Sequence, residues 1–552
     1  VSSLFKSVKD KYKNKVNRKI VKGYAVEQLP EIPSYLDTII RSSIKSISPE
    51  IPFKYLGYKI LSPDEDIANQ GNITDIDISN STLYKVTYTF EYNEEPIERT
   101  LSLPYVKEGG ILVLSDAKYS IVPVLTEYVI SSAKGDIFTR LMKDKLIFKK
   151  LERVIMIDGR RTPIAIVISD IYKLSKSKNP QVPVALLLFI KYGFKGLFKS
   201  LFNTTVVLLI DEEPSLKLKG THTIFSSTGK KPRGLKDLDY IPHNIIIAVP
   251  KDKVSQYMES VITSLIWTFD TSNVFSKELK NVLNDSAKEK RFWKLLLGKV
   301  IFRNSYTYDK IFTSMNEYIG MIDGYMDDVT QKKLRENNII LDDFYDLIAL
   351  VIRDYNMFVV TAESRSTSSE NRYLDINYYL MFEHIAGINK AFFAINKEFK
   401  QDKLTYNSII NIFNKQLSAK KIFNLIKGGN VSLALIPVDY SGDNYYPKIT
   451  SMLEDQNRGQ GVKRSKTNAF PFATRTLHAE DLNMGNLLYL SKKSPTPRLK
   501  VNPYVDIDFE SGKIKITKSK KSTLEQLEEM LSGKTASKLI NSDLIDSNID
   551  EE

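Results

Sequence analysis

Cysteine is absent from all 552 residues, so no disulfide can form and a reducing compartment is the expected setting. Histidine is scarce: His222, His243, His384 and His478 are the full set, and they are scattered. A zinc site built on Cys or His clusters is therefore excluded, although a carboxylate site for magnesium is not. Long apolar runs are missing too. The longest, Val182–Ile190, falls far short of the roughly 20 residues that a membrane helix needs. The basic N-terminus is not followed by an apolar core and a small-residue cleavage site, which argues against a secretory signal. Acid is in deficit: 66 Asp and Glu face 79 Lys and Arg, a net charge of +13.

That excess predicts a polyanionic partner, nucleic acid first. The blander alternative is a lysine-rich composition of the kind AT-rich coding sequence produces. What is present suits a folded protein. Hydrophobic residues make up 42% and charged residues 26%, with 30 Tyr and 26 Phe to fill cores. A chain of this length predicts two to four domains.

Periodicity places the elements. Leu36, Ile39, Ile40, Ile44 and Ile47 follow helical spacing after Pro33, with Ser34 and Asp37 as a capping-box pair. Leu83–Tyr92 alternates strictly, with Tyr84, Val86, Tyr88, Phe90 and Tyr92 on one face, and so predicts a half-buried strand. Asn93 to Pro96 predicts the turn, and Ile97, Arg99, Leu101 and Leu103 the returning strand. Arg153–Ile168 predicts a hairpin about Asp158-Gly159. Pro183–Phe198 predicts helix, Thr204–Ile210 and Asn244–Val249 short strands, and residues 252–352 a helical region. Ser364–Glu370 predicts a polar linker. Helices are expected over 375–400 and 406–427, the first with a core stripe of Leu380, Ile385, Ile388, Phe392, Ile395 and Phe399. A hairpin is expected about Ser511-Gly512, then an acidic tail.

Chemistry is sparsely signalled. Gly229-Lys230 and Gly298-Lys299 lack the upstream glycine of a phosphate loop; Ile224 and Trp293 stand there. Asp75 with Asp77, and Asp506 with Asp508, lack a third aspartate in step. Val505–Phe509 alternates like a strand, which puts Asp506 and Asp508 on one exposed face. The basic group Arg458, Lys463, Arg464, Lys466 and Arg475 sits among glycines and small polar residues. Such a segment can approach a phosphodiester backbone and displace counterions. A solvated charged loop is the competing explanation. His478 has no acid or nucleophile at fixed spacing, which favours a structural role.

Four stretches carry a family likeness. Arg99–Ser131 runs strand, turn, strand, tight polar turn (Ser115-Asp116-Ala117-Lys118-Tyr119), strand. Ile157-Asp158-Gly159-Arg160-Arg161-Thr162-Pro163 and Asn371-Arg372-Tyr373-Leu374 follow. Met452–Asn457 (Met-Leu-Glu-Asp-Gln-Asn), the cations Lys463, Arg464 and Lys466, and Thr474–His478 come last, ahead of Gly485 and the Pro-rich Ser494–Pro503. Their order resembles the N-terminal half of the β subunit of multisubunit DNA-directed RNA polymerases. The second histidine of the family's histidine motif is missing, and the family's Glu-Gly-Pro-Asn is degraded to Thr496-Pro497-Arg498. The chain also stops where the family's β subunit continues. It thus resembles the split-subunit type of large bacteriophages.

The resemblance implies an α+β multidomain fold of protrusion, lobe and fork. The expected divisions are a basic segment 1–22, protrusion 23–140 and 366–450, lobe 141–365, fork-like region 451–515 and an acidic flexible tail 516–552. It implies one side of a DNA cleft supporting template-directed RNA synthesis, with no catalysis by this chain in isolation. Mg2+ would be held by partner subunits. Arg458, Lys463, Arg464, Lys466 and Arg475 would touch template or RNA–DNA hybrid. Expected partners are a β C-terminal fragment, β′ fragments and a sigma-like specificity factor, with no membrane. The setting would be the cytoplasm of an infected bacterium, with packaging in the virion left open. The alternative is a basic DNA-binding phage structural or ejected protein.

Overall fold

The computed structural model describes residues 29–62, 83–105, 111–171, 182–228, 245–363 and 372–417 with short internal breaks. It also describes the stretches 435–437, 454–457, 498–500, 506–508 and 513–515. The mixture of several sheets with many helices is an α+β fold.

The strands, in chain order, begin with β1 (Phe53–Ile60), β2 (Leu83–Tyr92), β3 (Glu95–Pro104), β4 (Ile111–Leu114) and β5 (Ala117–Ile121). Next come β6 (Val124–Glu127), β7 (Ile130–Ala133), β8 (Asp136–Arg140), β9 (Lys145–Ile157) and β10 (Arg160–Ser169). β11 (Val182–Pro183), β12 (Val207–Ile210), β13 (His222–Ser226) and β14 (Ile245–Pro250) follow. The last are β15 (Arg372–Asp375), β16 (Leu435–Pro437), β17 (Glu454–Asn457), β18 (Arg498–Lys500), β19 (Asp506–Ile507) and β20 (Ile514–Lys515). The helices are α1 (Ile32–Ser43), α2 (Ala185–Tyr192), α3 (Phe194–Phe202), α4 (Leu216–Thr221), α5 (Gln256–Ser272) and α6 (Ser276–Val282). They continue as α7 (Ser286–Phe302), α8 (Tyr308–Asp323), α9 (Asp328–Arg335), α10 (Phe344–Glu363), α11 (Asn377–Phe399) and α12 (Tyr406–Gln416).

The smaller core joins sequence-distant pieces. β1, β2 and β3 form an antiparallel sheet, and α1, α11 and α12 pack on it. The alternation of β2 does what it predicts: Val86, Tyr88 and Phe90 are buried in this core. Phe90 lies 4.8 Å from Phe413 and stacks at 5.6 Å on Phe53. Each such ring, fully buried, contributes about 1.5–3 kcal/mol of transfer free energy. The β2–β3 turn is tight, because Asn93 and Glu94 both take positive φ (50° and 67°) and Glu95 already pairs with Tyr92. Arg99 on β3 donates to the Leu417 carbonyl and to Asn414 Oδ1 (2.8 Å), closing the end of α12.

One expectation about α1 fails. The helix starts at Ile32, with Pro33 in its first turn, where a missing N–H costs nothing. Ser34 is therefore inside the helix and caps nothing; its carbonyl accepts from Thr38 Oγ1 (3.1 Å). Asp37 instead accepts from Arg41 Nε (2.9 Å) and from the Tyr55 hydroxyl (2.7 Å).

The larger core gathers Val129 to Tyr355. Its sheet has the order β11-β10-β9-β13-β14-β12, with β8 also on β9 and β7 on β8. The predicted hairpin is present, and Asp158 and Gly159 take positive φ (47° and 78°) as a two-residue turn requires. Leu186–Ile190 are buried all round, so the longest apolar run is a core helix. The helix expected through Phe198 is broken. Gly193 (φ 69°) separates α2 from α3, and Glu289 Oε1 accepts from the Phe194 N–H (2.5 Å) and from Trp293 Nε1 (3.1 Å). A side chain at Gly193 would meet the Glu289 carboxylate at 3.0 Å. The two cores touch through α8 and α9: Lys400 pairs with Glu317 (2.5 Å) and Lys332 with Glu31 (3.8 Å).

Candidate nucleic-acid interface

A four-stranded sheet, ordered β15-β6-β17-β18, brings three of the four likeness-bearing stretches together, while Ile157–Pro163 lies on the β9–β10 hairpin of the larger sheet. β6 belongs to the Arg99–Ser131 passage, β15 to Asn371–Leu374, and β17 to Met452–Asn457. β15 runs antiparallel to β6, with Arg372 opposite Glu127 and Asp375 opposite Val124. β17 runs parallel to β6, with Gln456 opposite Val124 and Asn457 opposite Leu125. β18 returns antiparallel to β17, so that Gln456 faces Arg498. Chain leaving β17 at Asn457 and chain arriving at Arg498 are thus rooted side by side, at the roughly 4.8 Å spacing of paired strands.

That root carries the basic segment. Arg458, Lys463, Arg464, Lys466, Arg475 and His478 lie outside the described residues, as do the 1–22 segment, Ser364–Glu370, Gly229–Gly234, Asp75 and Asp77. The tight turn in the first passage is shorter than its sequence suggests. Leu114 already pairs with Ala117, so Ala117, Lys118 and Tyr119 are strand.

Beside the sheet, four segments meet. The Tyr128 and Tyr373 rings stack with centroids 5.8 Å apart. Lys333 Nζ lies 5.1 Å from the Tyr373 centroid and donates to its hydroxyl at 3.3 Å. Lys513 Nζ lies 5.7 Å from the Tyr128 centroid and donates to the Glu336 carbonyl. Burial raises the Glu336 carboxyl, against the lowering pull of Lys333, Lys332 and Lys513. Lys513 also bridges to Tyr373 backbone to backbone. Sequence reasoning gave no sign of this stack, because its members lie in four separate segments.

Asp506 and Ile507 pair with Lys515 and Ile514, as the expected hairpin requires. Asp508 is half-buried and acts on Glu336, rather than lying on an open face. Among the described residues no group of three or more His, Asp or Glu converges to hold a metal. His384 is buried in α11 with Nδ1 unpartnered, and burial lowers it to about 4. On the β9–β10 hairpin Arg160 and Arg161 are exposed, and the Arg153 guanidinium lies 4.7 Å from the Trp267 ring. Among the described residues no helix is long and apolar enough to cross a membrane.

A basic α+β chain, with distant passages tied into one sheet at the root of a cationic segment, has the makings of a nucleic-acid enzyme's scaffold subunit. Comparison with known families gives the class: an RNA polymerase subunit. A model described as "Non-virion RNA polymerase subunit" matches residues 1–530, and the chain belongs to that family. It is thus a component of a nucleotidyltransferase assembly acting in transcription. No curated protein matches the chain.

Proposed function

We propose that this chain is the N-terminal part of the β subunit of a bacteriophage DNA-directed RNA polymerase. It forms the protrusion (23–140 and 366–450), the lobe (141–365) and a fork-like region (451–515) on one side of the DNA cleft. Residues 1–22 and 516–552 are a basic segment and an acidic tail. The observation that carries the reading is the parallel pairing of β6 with β17, which joins two passages resembling the β subunit across the length of the chain. The smaller core supports a protrusion built from two separated stretches, since it draws on residues both before and after the larger core, whereas β7 and β8, within 23–140, pair into the larger core's sheet.

In this reading Arg458, Lys463, Arg464, Lys466 and Arg475 contact template or hybrid, from a segment rooted at Asn457 and Arg498. Each neutralised phosphate releases a counterion, which contributes affinity without sequence preference. Mg2+ is held by partner subunits, where a carboxylate cluster can clamp the attacking and leaving oxygens. Partners are the β C-terminal fragment, β′ fragments and a sigma-like factor. The "non-virion" description of the family favours action in the infected cytoplasm over packaging in the particle.

Affinity purification of the tagged chain from infected cells tests the reading. The expected result is a set of large polypeptides, one bearing an aspartate-triplet loop, with RNA synthesis by the assembly and none by the chain alone. Recovery without such a partner, or only with capsid components, would favour a DNA-binding structural or ejected protein instead.

A further inference from the structure

We infer that the paired helices α7 and α8 present a second contact surface for single-stranded nucleic acid, apart from the segment rooted on β17. The claim uses the polymerase reading only to supply a single-stranded ligand.

The geometry begins with Gly298. A Cβ there would fall 2.3 Å from Ile311 Cγ2 and 2.9 Å from Met315 Cγ, so only glycine lets the two helices come this close. Close approach holds the rings of α8 against the cations of α7. The Arg291 guanidinium lies 5.1 Å and Lys294 Nζ 6.0 Å from the Phe312 centroid. Lys299 Nζ lies 4.5 Å from the Tyr308 centroid, and Tyr308 is 48% exposed. Lys290, also exposed, stands near Lys294 and acts on its charge.

These cations are oriented by rings more than by carboxylates. Glu289 is turned inward onto Phe194 and Trp293. Asp309 reaches Arg291 only at 3.9 Å, with both groups well exposed, so their attraction is largely screened. Asp323 acts on Lys294 at a distance while accepting from the Tyr345 hydroxyl (2.9 Å), and Lys294 donates to Asn316 Oδ1 (2.8 Å). Burial lowers the Lys294 ammonium, with Asp323 raising it and the neighbouring Lys290 lowering it further. A cationic strip interleaved with an exposed ring suits single strands: phosphates meet the cations, and an unpaired base stacks on the ring. A duplex would use the cations and leave the ring idle.

The test uses the purified full chain and a labelled single-stranded thymidine oligonucleotide, with anisotropy read across a salt series. Replacing Arg291, Lys294 and Lys299 by Gln is expected to weaken binding roughly tenfold and to flatten the log K against log salt slope by about 2. An equal charge loss elsewhere, Lys217, Lys219 and Lys251 to Gln, is expected to leave the slope unchanged. Tyr308→Ala is expected to weaken single-strand binding roughly tenfold, with Tyr308→Phe restoring it and duplex binding unmoved. If the triple variant folds poorly by circular dichroism, Lys299→Gln with Tyr308→Ala replaces it, since neither side chain is buried. Equal slopes for the two charge sets would overturn the inference. So would loss of a copurifying acidic polypeptide with oligonucleotide binding intact, which would make the face a protein-docking surface. RNA synthesis by the purified assembly reports separately on the polymerase reading, and survives failure of this face.

Discussion

Tyr128 and Tyr373 stack nearly parallel, with ring centroids 5.8 Å apart and 10° between their planes. The first stands just before the chain builds the larger core, and the second just after the chain has left it. Each ring also carries a lysine ammonium, from Lys513 and Lys333. The stack thus ties both crossings to α9 and to the strand pair β19–β20.

Removing one ring should loosen that junction. Tyr373 is buried (7%), and Tyr373→Ala is expected to cost about 3 kcal/mol, from lost burial and lost ring stacking. Tyr373→Phe, which removes only the hydroxyl that accepts from Lys333, should cost about 1 kcal/mol. Denaturant unfolding of the two variants checks the order; equal losses would rule out a contribution from stacking.

Gly387 is fixed by the approach of α11 to the end of α12. A Cβ at this position would lie 2.8 Å from the Gln416 carbonyl oxygen and 2.8 Å from Leu417 Cδ2. The carbonyl is backbone and cannot swing aside, so Gly387→Ala should destabilise by about 1–3 kcal/mol despite its better helix propensity. Thermal unfolding measures this, and a stabilised variant would contradict the packing.

His384 predicts a pH dependence. Burial lowers it from 6.5 to about 4, so the folded state keeps the ring neutral where the unfolded chain protonates it. Its contribution to stability is therefore complete above pH 6.5 and is lost as pH falls toward 4. The loss amounts to roughly 3 kcal/mol and levels off below the folded value. His384→Leu should flatten the stability profile in that window relative to the parent. A profile that falls as steeply in the variant would assign the slope to carboxylates.

The basic segment rooted on β17 predicts a salt effect. Arg464→Ala with Lys466→Ala should weaken the grip of the assembled enzyme on nucleic acid, so that elongation complexes dissociate at lower ionic strength while the log K against log salt slope flattens. Two lost phosphate contacts correspond to a change of roughly 1.5 in the log K against log salt slope. Unchanged salt resistance would remove these two residues from the interface.

Much of the fold is legible from residue order. The strict alternation of Leu83–Tyr92 fixes a strand with one buried face, and Asp158-Gly159 fixes a hairpin. Other elements mislead for identifiable reasons. Ser34 has the composition of a cap, yet Pro33 is better placed inside the first turn, which moves the helix start to Ile32. The Pro183–Phe198 stretch is apolar throughout, so periodicity cannot show that Gly193 turns the chain. β13 carries no clear alternation and takes its place by pairing between β9 and β14. For the candidate interface, the sequence marks out the passages and the cations. The tyrosine stack and the α7–α8 face leave no local trace, since each is assembled from separate segments.

By itself the sequence determined the absence of disulfides, the basic balance, the faces of the strands and the family-like order of passages. Those are properties of composition and of short-range period, which a strand or helix expresses wherever it lands. Only the tertiary structure decided that β6 would run parallel to β17, that Tyr128 would meet Tyr373, and that Gly298 would seat α8 against α7. Period sets which side of an element is buried and leaves the partner open. The partner is chosen by register, close packing and the entropy of closing long loops, all of which belong to the whole chain at once.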